Sequence, residues 1–453
     1  MANESPVQRV KGTFDLFYEE YYQYEEIRNK IKGLFESFGY GCIEVPIVEY
    51  TDLHLKKSGQ EIISKMYTFK DYGNRDVCLR PEITASVVRA FVNSLQNNPL
   101  PVKFYYIGPA FRYDTPQLGR YRQFTHAGIE LIGSKSAISD AEIISIACMG
   151  LQLLGLENYR VVIGHIGVIL ELLDSLQLDV QIKGFLIDAM EQLGKGKGID
   201  EINKQLKPKG QRDQIDKALE FIQELRQIKG IVPIEKLLIR YKLDLKPLEE
   251  LKRIITNLEY VSDLDWSKIT IDLGFGRGLQ YYTGMIFEVY CDALGAENQI
   301  CGGGRYDELV RTLGGSKDVP SLGFAYGLER VKLALDKEDK LSRESKKPHI
   351  FISSIGNNVN DYTIEVAQKL RSLNLRVEMD VMERKINRNF EYADISKIPF
   401  AVIVGEDEKT NSTFKLRDMQ TKQEQVISLD QINKGLVEGS LLFEILRVTK
   451  LKD

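Results

Sequence analysis

The chain of 453 residues is long enough to form two or three domains, each with its own hydrophobic core. Hydrophobic residues make up 43% of it and charged residues 28%, as in an ordinary soluble globular protein. The net charge of -4 argues against a protein that coats nucleic acid, so any contact with RNA has to come from local basic patches.

The cysteines lie far apart in the sequence, and no Cys-x-x-Cys pair occurs. Zinc sites and disulfide frameworks are therefore not expected, and reduced thiols in the cytoplasm fit this pattern best. Residues 1–20 lack a cationic stretch followed by an apolar one, and no apolar run is long enough to span a bilayer. We expect a cytoplasmic protein with no membrane contact and no structural metal.

The first block, residues 1–164, mixes helix and strand patterns. Apolar spacing predicts a helix over Tyr21–Phe38, which ends at Gly39. Residues 43–47 (IEVPI) alternate as in a strand, and Pro46 within them suits an edge or an interface position.

The segment LRPEITASVVRA at residues 79–90 carries a carboxylate and a hydroxyl two positions apart. On an extended segment Glu82 and Thr84 would project from one face and grip the ammonium group of an amino acid. The alternative is that Pro81 and Glu82 simply begin a helix.

Residues 104–133 combine arginines with aromatic residues on a predicted strand–loop–strand. Arg112, Arg120 and Arg122 can bind phosphate or carboxylate bidentately and stack on flat rings, and Pro116 and Gly119 shape the loop. This pattern predicts a cradle for a nucleotide. A solvated hairpin with surface arginines is the alternative, and the residues alone leave both open.

The second block, residues 165–262, has helical periodicity and is interrupted by GKGKG at 194–198 and by Pro208 and Gly210. We interpret it as a helical insertion with exposed basic side chains. Its charges fit either a solvated helical bundle or a surface that contacts RNA.

The third block, residues 263–335, returns to strands and turns. Arg277 stands between two glycines, where the backbone can bend so that a guanidinium reaches a buried anion. The GGGRYD stretch lacks the Lys-Ser/Thr of a P-loop. The block ends in a predicted apolar helix through Leu328, Val331 and Leu333, which includes part of the GLER sequence with Arg330.

Residues 336–347 form a charged stretch with almost no apolar content, which predicts a linker. Beyond it, residues 348–453 alternate strand and helix as in a small α/β domain with a mostly buried, parallel-type sheet. Helices are predicted near 361–373 and 387–396.

The arginine-rich hairpin resembles motif 2 of the class II aminoacyl-tRNA synthetases and, among them, of the histidyl-tRNA synthetases. The positions in register are Phe111, Arg112, Pro116, Gln117, Gly119, Arg120, Tyr121, Arg122, Phe124, Gly128 and Glu130. Two positions depart from the family pattern: Asp114 replaces Glu, and His126 replaces Gln.

Further motifs extend this resemblance from KGTFDL at residues 11–16 to VGEDE at 404–408. The FGYGCIEVPIVEY stretch resembles motif 1, GLER resembles motif 3, and RGLQYY resembles the histidine-specific R-G-L-D-Y-Y with Gln280 in place of Asp. The resemblance implies an α+β fold: a class II catalytic domain with an antiparallel sheet and a helical insertion, followed by a C-terminal α/β anticodon-binding domain. It also implies a homodimer through motif 1.

The same resemblance implies a role for each matching residue. The catalytic cations would be Arg112 and Arg277. The histidine-binding residues would be Glu82, Ile83, Thr84, Arg112, His126, Glu130, Arg277, Tyr281 and Tyr282. The ATP-binding residues would be Arg112, Asp114, Arg120, Phe124 and Arg330. The tRNA-binding residues would be Gln117, Arg122, Arg384, Lys385 and Arg388, with Phe390 and Tyr392 near the last three.

The implied function is ATP-dependent activation of histidine to histidyl-adenylate, followed by transfer to tRNA(His), with Mg2+ carried on ATP. Ile83 stands where the family has Gly. The three positions that depart from the family near the expected histidine pocket are Ile83, His126 and Gln280. Two alternatives follow from these departures: a non-charging paralogue that regulates ATP phosphoribosyltransferase, and a ligase with altered amino-acid specificity.

Overall fold

The computed structural model describes residues 7–58, 60–194, 201–202, 204, 211–261, 264–274, 281–341, 347–433 and 441–450. Its residues divide into two compact units, Met1–Arg343 and Glu344–Asp453. The finer domain boundaries expected from the sequence stay predictions. In the parts of the chain that are described, no helix is both long and apolar enough to cross a bilayer.

The described part of the first unit contains the helices predicted near Tyr21–Phe38, within residues 165–262 and near Leu328–Leu333, together with helices that were not predicted. They are α1 Tyr18–Ser37, α2 Thr51–Ser58, α3 Thr84–Ser94, α4 Ala137–Leu154, α5 Gly167–Ser175, α6 Val180–Gly194, α7 Arg212–Gln227, α8 Ile231–Tyr241, α9 Lys246–Glu259, α10 Leu309–Thr312 and α11 Leu328–Lys337. Helix α1 buries Tyr24, Ile27, Ile31 and Phe35, and the chain leaves it through Gly39 at a φ of +78°.

The strands of the first unit are β1 Gly41–Cys42, β2 Val48–Tyr50, β3 Tyr67–Lys70, β4 Asp76–Leu79, β5 Val102–Phe111, β6 Gln123–Ile132, β7 Arg160–His165, β8 Ile269–Ile271, β9 Met285–Tyr290, β10 Gln299–Arg305 and β11 Ser321–Gly327. The strand predicted over residues 43–47 is wrong, because only the flanking β1 and β2 are strands. Pro46 has no N–H to donate to a ladder, and the pairing with β5 stops after the bond from the Ile43 N–H to the Tyr105 carbonyl.

Within the described residues, one sheet of the first unit has the order β1-β5-β6-β11-β10-β9-β7-β8. The pairs at its two ends, β1 with β5 and β7 with β8, are parallel, and the pairs between them are antiparallel. Side chains alternate across such strands, and β6 directs Ala127, Ile129 and Leu131 into the main core. Helices α1 and α4 pack beside one another in the same core.

The helices of the predicted insertion share this core. Leu172 of α5, Ile215 of α7, Leu238 of α8 and Leu251 of α9 belong to the same buried cluster as the sheet residues. Helix α9 also packs directly against α4. The insertion is therefore anchored to the sheet by apolar burial.

A smaller antiparallel sheet in the first unit has the order β2-β4-β3. Its inner face buries Glu49 and Cys78. On the opposite face Tyr50 and Phe69 flank Val77 across the strands, and both aromatic residues are about half exposed. The two aromatic side chains of this apolar face are thus open to solvent, while Val77 between them is buried.

The second unit is an α/β domain. Its elements are β12 Ile350–Ser354, α12 Asn360–Arg371, β13 Val377–Met379, α13 Ile386–Ile395, β14 Phe400–Val404, α14 Glu406–Thr410, β15 Thr413–Asp418, β16 Glu424–Ser428, α15 Leu429–Asn433 and α16 Leu441–Lys450. The order of its described strands is β13-β12-β14-β15-β16, in which the first three are parallel and the last two are antiparallel. Only part of the sheet is therefore of the predicted parallel type.

Candidate functional site

A cavity of about 440 Å³ lies in the first unit against the large sheet. It has the size of a small-molecule site. The residues singled out from the sequence that line it are Glu82, Thr84, Arg112, Asp114, Arg120, Phe124, His126, Tyr281, Tyr282 and Arg330. The fold thus brings together segments that are up to about 250 residues apart in the sequence.

Glycines open the sheet surface under this cavity. Gly323 pairs with Glu130 across β11 and β6, and a Cβ at Gly323 would overlap the Glu130 carboxylate. Gly303 on β10 is equally tight against the backbone of Gly323. These positions tolerate no side chain, so the GGG stretch serves close packing of β10 against its neighbouring strands.

Guanidinium groups of separate segments meet in the cavity. Arg112, just after β5, donates from Nε to the Pro81 carbonyl at 2.9 Å. Arg330 of α11 donates from Nε to the Gly119 carbonyl at 2.7 Å and from Nη1 to the Gln299 carbonyl at 2.8 Å. Burial lowers the pKa of the Arg112 guanidinium, but arginine remains charged at any ordinary pH. A desolvated cation of this kind favours an anionic ligand.

The loop residues predicted to meet a nucleotide have partners of their own. Nε of Arg120 lies 3.1 Å from a carboxylate oxygen of Asp114. Cζ of Arg112 lies 5.3 Å from the ring centroid of Phe124, so the guanidinium covers the aromatic ring. An adenine base that stacked on Phe124 would occupy a surface that is already suited to a flat, polarisable group.

Glu130 lies beneath the cavity wall and is almost fully buried. Tyr106 donates its hydroxyl to one carboxylate oxygen at 3.0 Å, and Tyr306 donates to the other. Burial raises the pKa of Glu130 to about 7, and hydrogen bonds from Thr84 and Tyr306 offset part of that rise. The carboxyl group therefore changes its charge near neutral pH, which suits recognition of an imidazole.

Glu82 is buried beside two basic side chains of α2. Lys57 Nζ donates to Oε2 at 2.8 Å, and His54 Nδ1 lies 3.4 Å from Oε1. Burial alone would raise the pKa of Glu82, but Lys57 and then His54 outweigh it and hold this pKa well below its usual range. Glu82 is a fixed negative charge in the cavity wall.

His126 and the tyrosine pair complete the polar lining. Burial, and then the nearby Arg112 cation, lower the pKa of His126 to about 3, so its ring is neutral. Its Nδ1 is buried without a hydrogen-bond partner. The rings of Tyr281 and Tyr282 lie 4.3 Å apart between centroids. The neighbouring Arg277 and Gln280 fall outside the described residues.

Two expectations for the 79–90 segment are corrected by the structure. The prediction of an extended segment is wrong, because Thr84 is the first residue of α3 and the backbone of Ile83 already has helical angles. Ile83 is buried with Val45, Val87 and Tyr106 in an apolar cluster and is absent from the cavity lining in the described residues. Its branched side chain therefore fills the core and does not reshape the cavity directly.

Gln117 and Arg122 lie outside the cavity lining of the described residues. Gln117 is exposed in the loop and pairs through its backbone with Arg120. Cζ of Arg122 lies 4.1 Å from the Tyr113 ring centroid, and Nε donates to the Asp114 carbonyl at 3.2 Å. Gln117 is thus exposed, whereas Arg122 is half-buried in the hairpin.

In the second unit, Arg384 donates from Nη1 to Asp380 at 3.0 Å, and Arg388 pairs with Glu391 on an exposed surface. Lys385 is exposed at the start of α13. Phe390 and Tyr392 are half-buried against a small core cluster. Both aromatic rings therefore pack as core residues of this unit.

Sequence patterns missed several residues of the site. The sequence patterns did not single out Lys57 and His54, which contact Glu82, or Tyr106 and Tyr306, which contact Glu130. Glu329, beside Arg330, is buried and accepts two bonds from the Thr125 N–H at 2.9 and 2.8 Å, which ties α11 to β6. No spacing rule reveals such contacts, since each one joins distant segments.

The GGGRYD stretch has a structural role at its arginine. Arg305 donates to Asp140 at 3.0 and 2.7 Å and to the Ser134 carbonyl at 2.6 Å, away from the cavity. Within the described ranges, no group of His, Cys, Asp and Glu side chains is arranged to hold a metal ion.

Comparisons with known proteins agree with this geometry. A family model described as histidyl-tRNA synthetase matches residues 12–331, and one described as an anticodon binding domain matches residues 349–438. The chain is 36% identical over 430 residues to a histidine–tRNA ligase of Methanococcus aeolicus, which covers 94% of this chain and 99% of the relative.

Solved structures give the same result. The apo histidyl-tRNA synthetase of S. aureus superposes with a TM-score of 0.68 at 26% identity and covers 95% of this chain and 100% of its own. A Bacillus halodurans protein, titled ATP phosphoribosyltransferase regulatory subunit/histidyl-tRNA synthetase, has a TM-score of 0.70 at 22% identity. The match covers 89% of this chain and 99% of the Bacillus halodurans chain. The second likeness is one of fold. The predicted α+β class with a C-terminal anticodon-binding domain is confirmed.

Proposed function

The chain belongs to the histidyl-tRNA synthetase family and is an aminoacyl-tRNA ligase, and from this premise we propose how its residues carry out the reaction. It activates histidine with ATP to histidyl-adenylate, releases pyrophosphate and transfers the histidyl group to tRNA(His). The observation that carries this proposal is the meeting of Arg112, Arg120 and Arg330 in one cavity of nucleotide size.

Arg112 stands at the reacting centre. The carboxylate of histidine attacks the α-phosphorus of ATP, the bond to pyrophosphate breaks, and two anions have to approach one another. A buried bidentate cation between them lowers this repulsion and orients both groups. By the family resemblance Arg277 is the second cation on the α-phosphate.

The remaining ATP contacts use the hairpin and α11. Phe124 stacks on adenine, Asp114 lies near its amino group, Arg120 meets the distal phosphates, and Arg330 covers the other face of the base. For both residues to reach the nucleotide, the Asp114–Arg120 ion pair has to break, or the Arg120 guanidinium has to bind Asp114 and the phosphates at the same time. ATP is the substrate and brings Mg2+ with it.

Histidine occupies the other end of the cavity. Glu82 and Thr84 hold its ammonium group, and Glu130 accepts a hydrogen bond from its imidazole. Neutral His126, with its partnerless Nδ1, offers a further polar contact beside Tyr281 and Tyr282. Since Ile83 is buried in the core, it affects this pocket only through the position of its neighbours.

Transfer follows when a terminal hydroxyl of tRNA attacks the acyl carbon and AMP leaves. Gln117 and Arg122 on the hairpin surface contact the acceptor end of tRNA. Arg384, Lys385 and Arg388 in the second unit meet the anticodon region through phosphate contacts. The partner named by the family, a tRNA, fits both sets of residues.

We also propose a homodimer. The face of the β2-β4-β3 sheet that carries Tyr50 and Phe69 is apolar and exposed, and an apolar sheet face normally packs against another surface. Motif 1 of the resemblance includes β2, so a second copy of this chain is the occupant that we expect. A cytoplasmic location stays a prediction of the cysteine pattern.

The relatives do not favour the two alternatives. The M. aeolicus ligase aligns over 94% of this chain, the part matched by the anticodon-binding model included. The B. halodurans likeness, whose title names a regulatory subunit, shows the fold alone. A regulatory paralogue without charging activity therefore has no specific observation in its favour.

The test is ATP–pyrophosphate exchange with each standard amino acid, followed by charging of tRNA(His). We expect exchange with histidine alone and histidyl-tRNA as the product. Exchange with another amino acid would establish altered specificity, and no exchange with any of them would contradict the ligase proposal.

A further inference from the structure

The carboxylate of Glu82 has three donors around it before any substrate binds. Lys57 Nζ lies 2.8 Å from Oε2, His54 Nδ1 lies 3.4 Å from Oε1, and the Ala85 N–H lies 3.1 Å from Oε1. A carboxylate offers about four acceptor directions. The three donors therefore leave room for roughly one more.

Lys57 is an unusual lysine because only 4% of its side chain is exposed. Its ammonium lies 4.2 Å from the ring centroid of Tyr281, and both residues line the cavity. Burying an ammonium group is costly unless it is paired. The preceding Lys56 shows the ordinary situation, with a side chain that is 54% exposed and paired with Asp52 on the surface.

We propose that Lys57 is a positioning residue for the amino-acid site, which keeps Glu82 ionised and fixes its orientation so that the remaining acceptor direction receives the α-ammonium of histidine. This inference rests on the proposed function, in which Glu82 binds that ammonium. Lys57 itself does not have to touch histidine.

The electrostatic surroundings explain why Glu82 needs such a partner. Burial favours the neutral carboxyl group, and Lys57 and then His54 oppose it strongly enough to lower the pKa of Glu82. A neutral carboxyl group would bind an ammonium weakly and would donate a competing proton. The other titratable or charged groups that act on Glu82 are Arg80, Tyr106, Arg112, His126 and Tyr281.

Arg112 is another cation that could keep Glu82 ionised, since it also interacts electrostatically with Glu82. Its guanidinium is bonded to the Pro81 carbonyl and covers Phe124, whereas Lys57 is hydrogen-bonded to the carboxylate itself. Removing Lys57 therefore takes away the direct hydrogen-bond donor to Glu82 Oε2. The effect of burial, which raises the pKa of Glu82, is then opposed less strongly. Glu82 would then take up a proton as the pH falls.

The experiment compares Lys57→Met with wild-type protein and with Lys56→Met, all as full-length chains in histidine-dependent ATP–pyrophosphate exchange. For Lys57→Met we expect the KM for histidine to rise by about tenfold or more, since a charge-assisted contact is weakened. The kcat at saturating histidine and the KM for ATP should change by less than about threefold. Lys56→Met should match wild type.

The pH dependence separates a positioning role from a packing role. We expect the ratio of the variant KM to the wild-type KM to grow as the pH is lowered from about 8 to about 6, because protonation of Glu82 removes the anion. Taking the ratio cancels the titration of the substrate imidazole. A ratio that stays flat across this range would overturn the proposal.

Two ligands localise the effect. Histidinol keeps the ammonium group of histidine, whereas imidazolepropionate lacks it. In Lys57→Met the inhibition constant of histidinol should rise with the histidine KM, and that of imidazolepropionate should stay within about threefold of wild type. Equal loss of both inhibitors would indicate general damage to the pocket and would contradict the inference.

A rescue experiment covers the possibility that Lys57→Met folds poorly. In Lys57→Ala, ethylammonium should restore the histidine KM in a saturable manner, and ethanol of similar size should not. Rescue by both compounds, or by neither, would count against a charge-based role. If wild-type protein showed no histidine-dependent exchange, the proposed function would fail, whereas normal wild-type exchange with an unaffected Lys57→Met variant would refute only this inference.

Discussion

Gly323 lies directly opposite Glu130 across the β11–β6 pairing, and a Cβ at Gly323 would overlap the Glu130 carboxylate. The absence of a side chain on one strand thus makes the space for a buried acid on the next. Glu130 needs this space because Tyr106 and Tyr306 hold its two oxygens from other elements.

We expect Gly323→Ala to displace Glu130 and to weaken histidine binding by at least about tenfold, with an overpacking cost of about 1–3 kcal/mol. Isothermal titration calorimetry with histidine measures the first effect, and thermal unfolding measures the second. Gly33→Ala is the matched control: Gly33 is exposed in α1 with nothing near its Cβ position, so the same change should be neutral or slightly stabilising. Unchanged affinity in Gly323→Ala would refute the close-approach argument.

The titration of Glu130 predicts a pH-dependent stability. Its pKa is raised to about 7 in the folded chain, so between about pH 4.5 and pH 7 the folded state binds a proton that the unfolded state has lost. Stability from this group is therefore greatest below pH 4.5 and is lost as the pH rises toward 7. Relative to Glu130→Gln, the Tm of the ligand-free wild type should fall from pH 5 to about pH 7 and stay level above it. A Tm difference that rises with pH would contradict the assignment.

Arg112 should dominate adenylate formation. We expect Arg112→Ala to lower kcat for ATP–pyrophosphate exchange by about a hundredfold to a thousandfold, because it removes a preorganised cation from the developing charge. Arg112→Lys should recover little of the lost kcat, since an ammonium group cannot bridge two anions as a planar, bidentate guanidinium group does. Arg311→Ala, which removes an exposed arginine paired with Asp318, is the control and should leave exchange unchanged. Equal rates in both alanine variants would exclude the proposed role of Arg112.

The exposed sheet face should hold two copies of the chain together. We expect Phe69→Asp to convert a dimer into a monomer in analytical ultracentrifugation, because a charge cannot be buried unpaired in an apolar interface. Phe443→Asp, at an aromatic residue of the second unit that is 37% exposed, is the matched control and should leave the mass unchanged. A wild-type monomer at micromolar concentration would disprove the dimer.

Much of the organisation was predictable from local patterns. Helix α1 follows the spacing of its buried apolar residues, and Gly39 ends it as expected for a glycine with positive φ. The prediction over residues 43–47 failed because alternation alone does not reveal where a partner strand stops. The extended geometry predicted at Glu82 and Thr84 was wrong, and the alternative of a helix start there was right, because the Ala85 N–H bonds to the Glu82 carboxylate at the start of α3.

The sequence by itself determined the candidate ligands and the family, since Arg112, Arg120, Glu130 and Arg330 stand in motifs with fixed gaps. Only the tertiary structure decided that Lys57 and His54 surround Glu82, that Tyr106 and Tyr306 hold Glu130, and that Ile83 belongs to the core. The physical reason is that the ionisation of a buried acid depends on desolvation and on charges within a few ångströms, and these come from segments whose separation along the chain carries no such information.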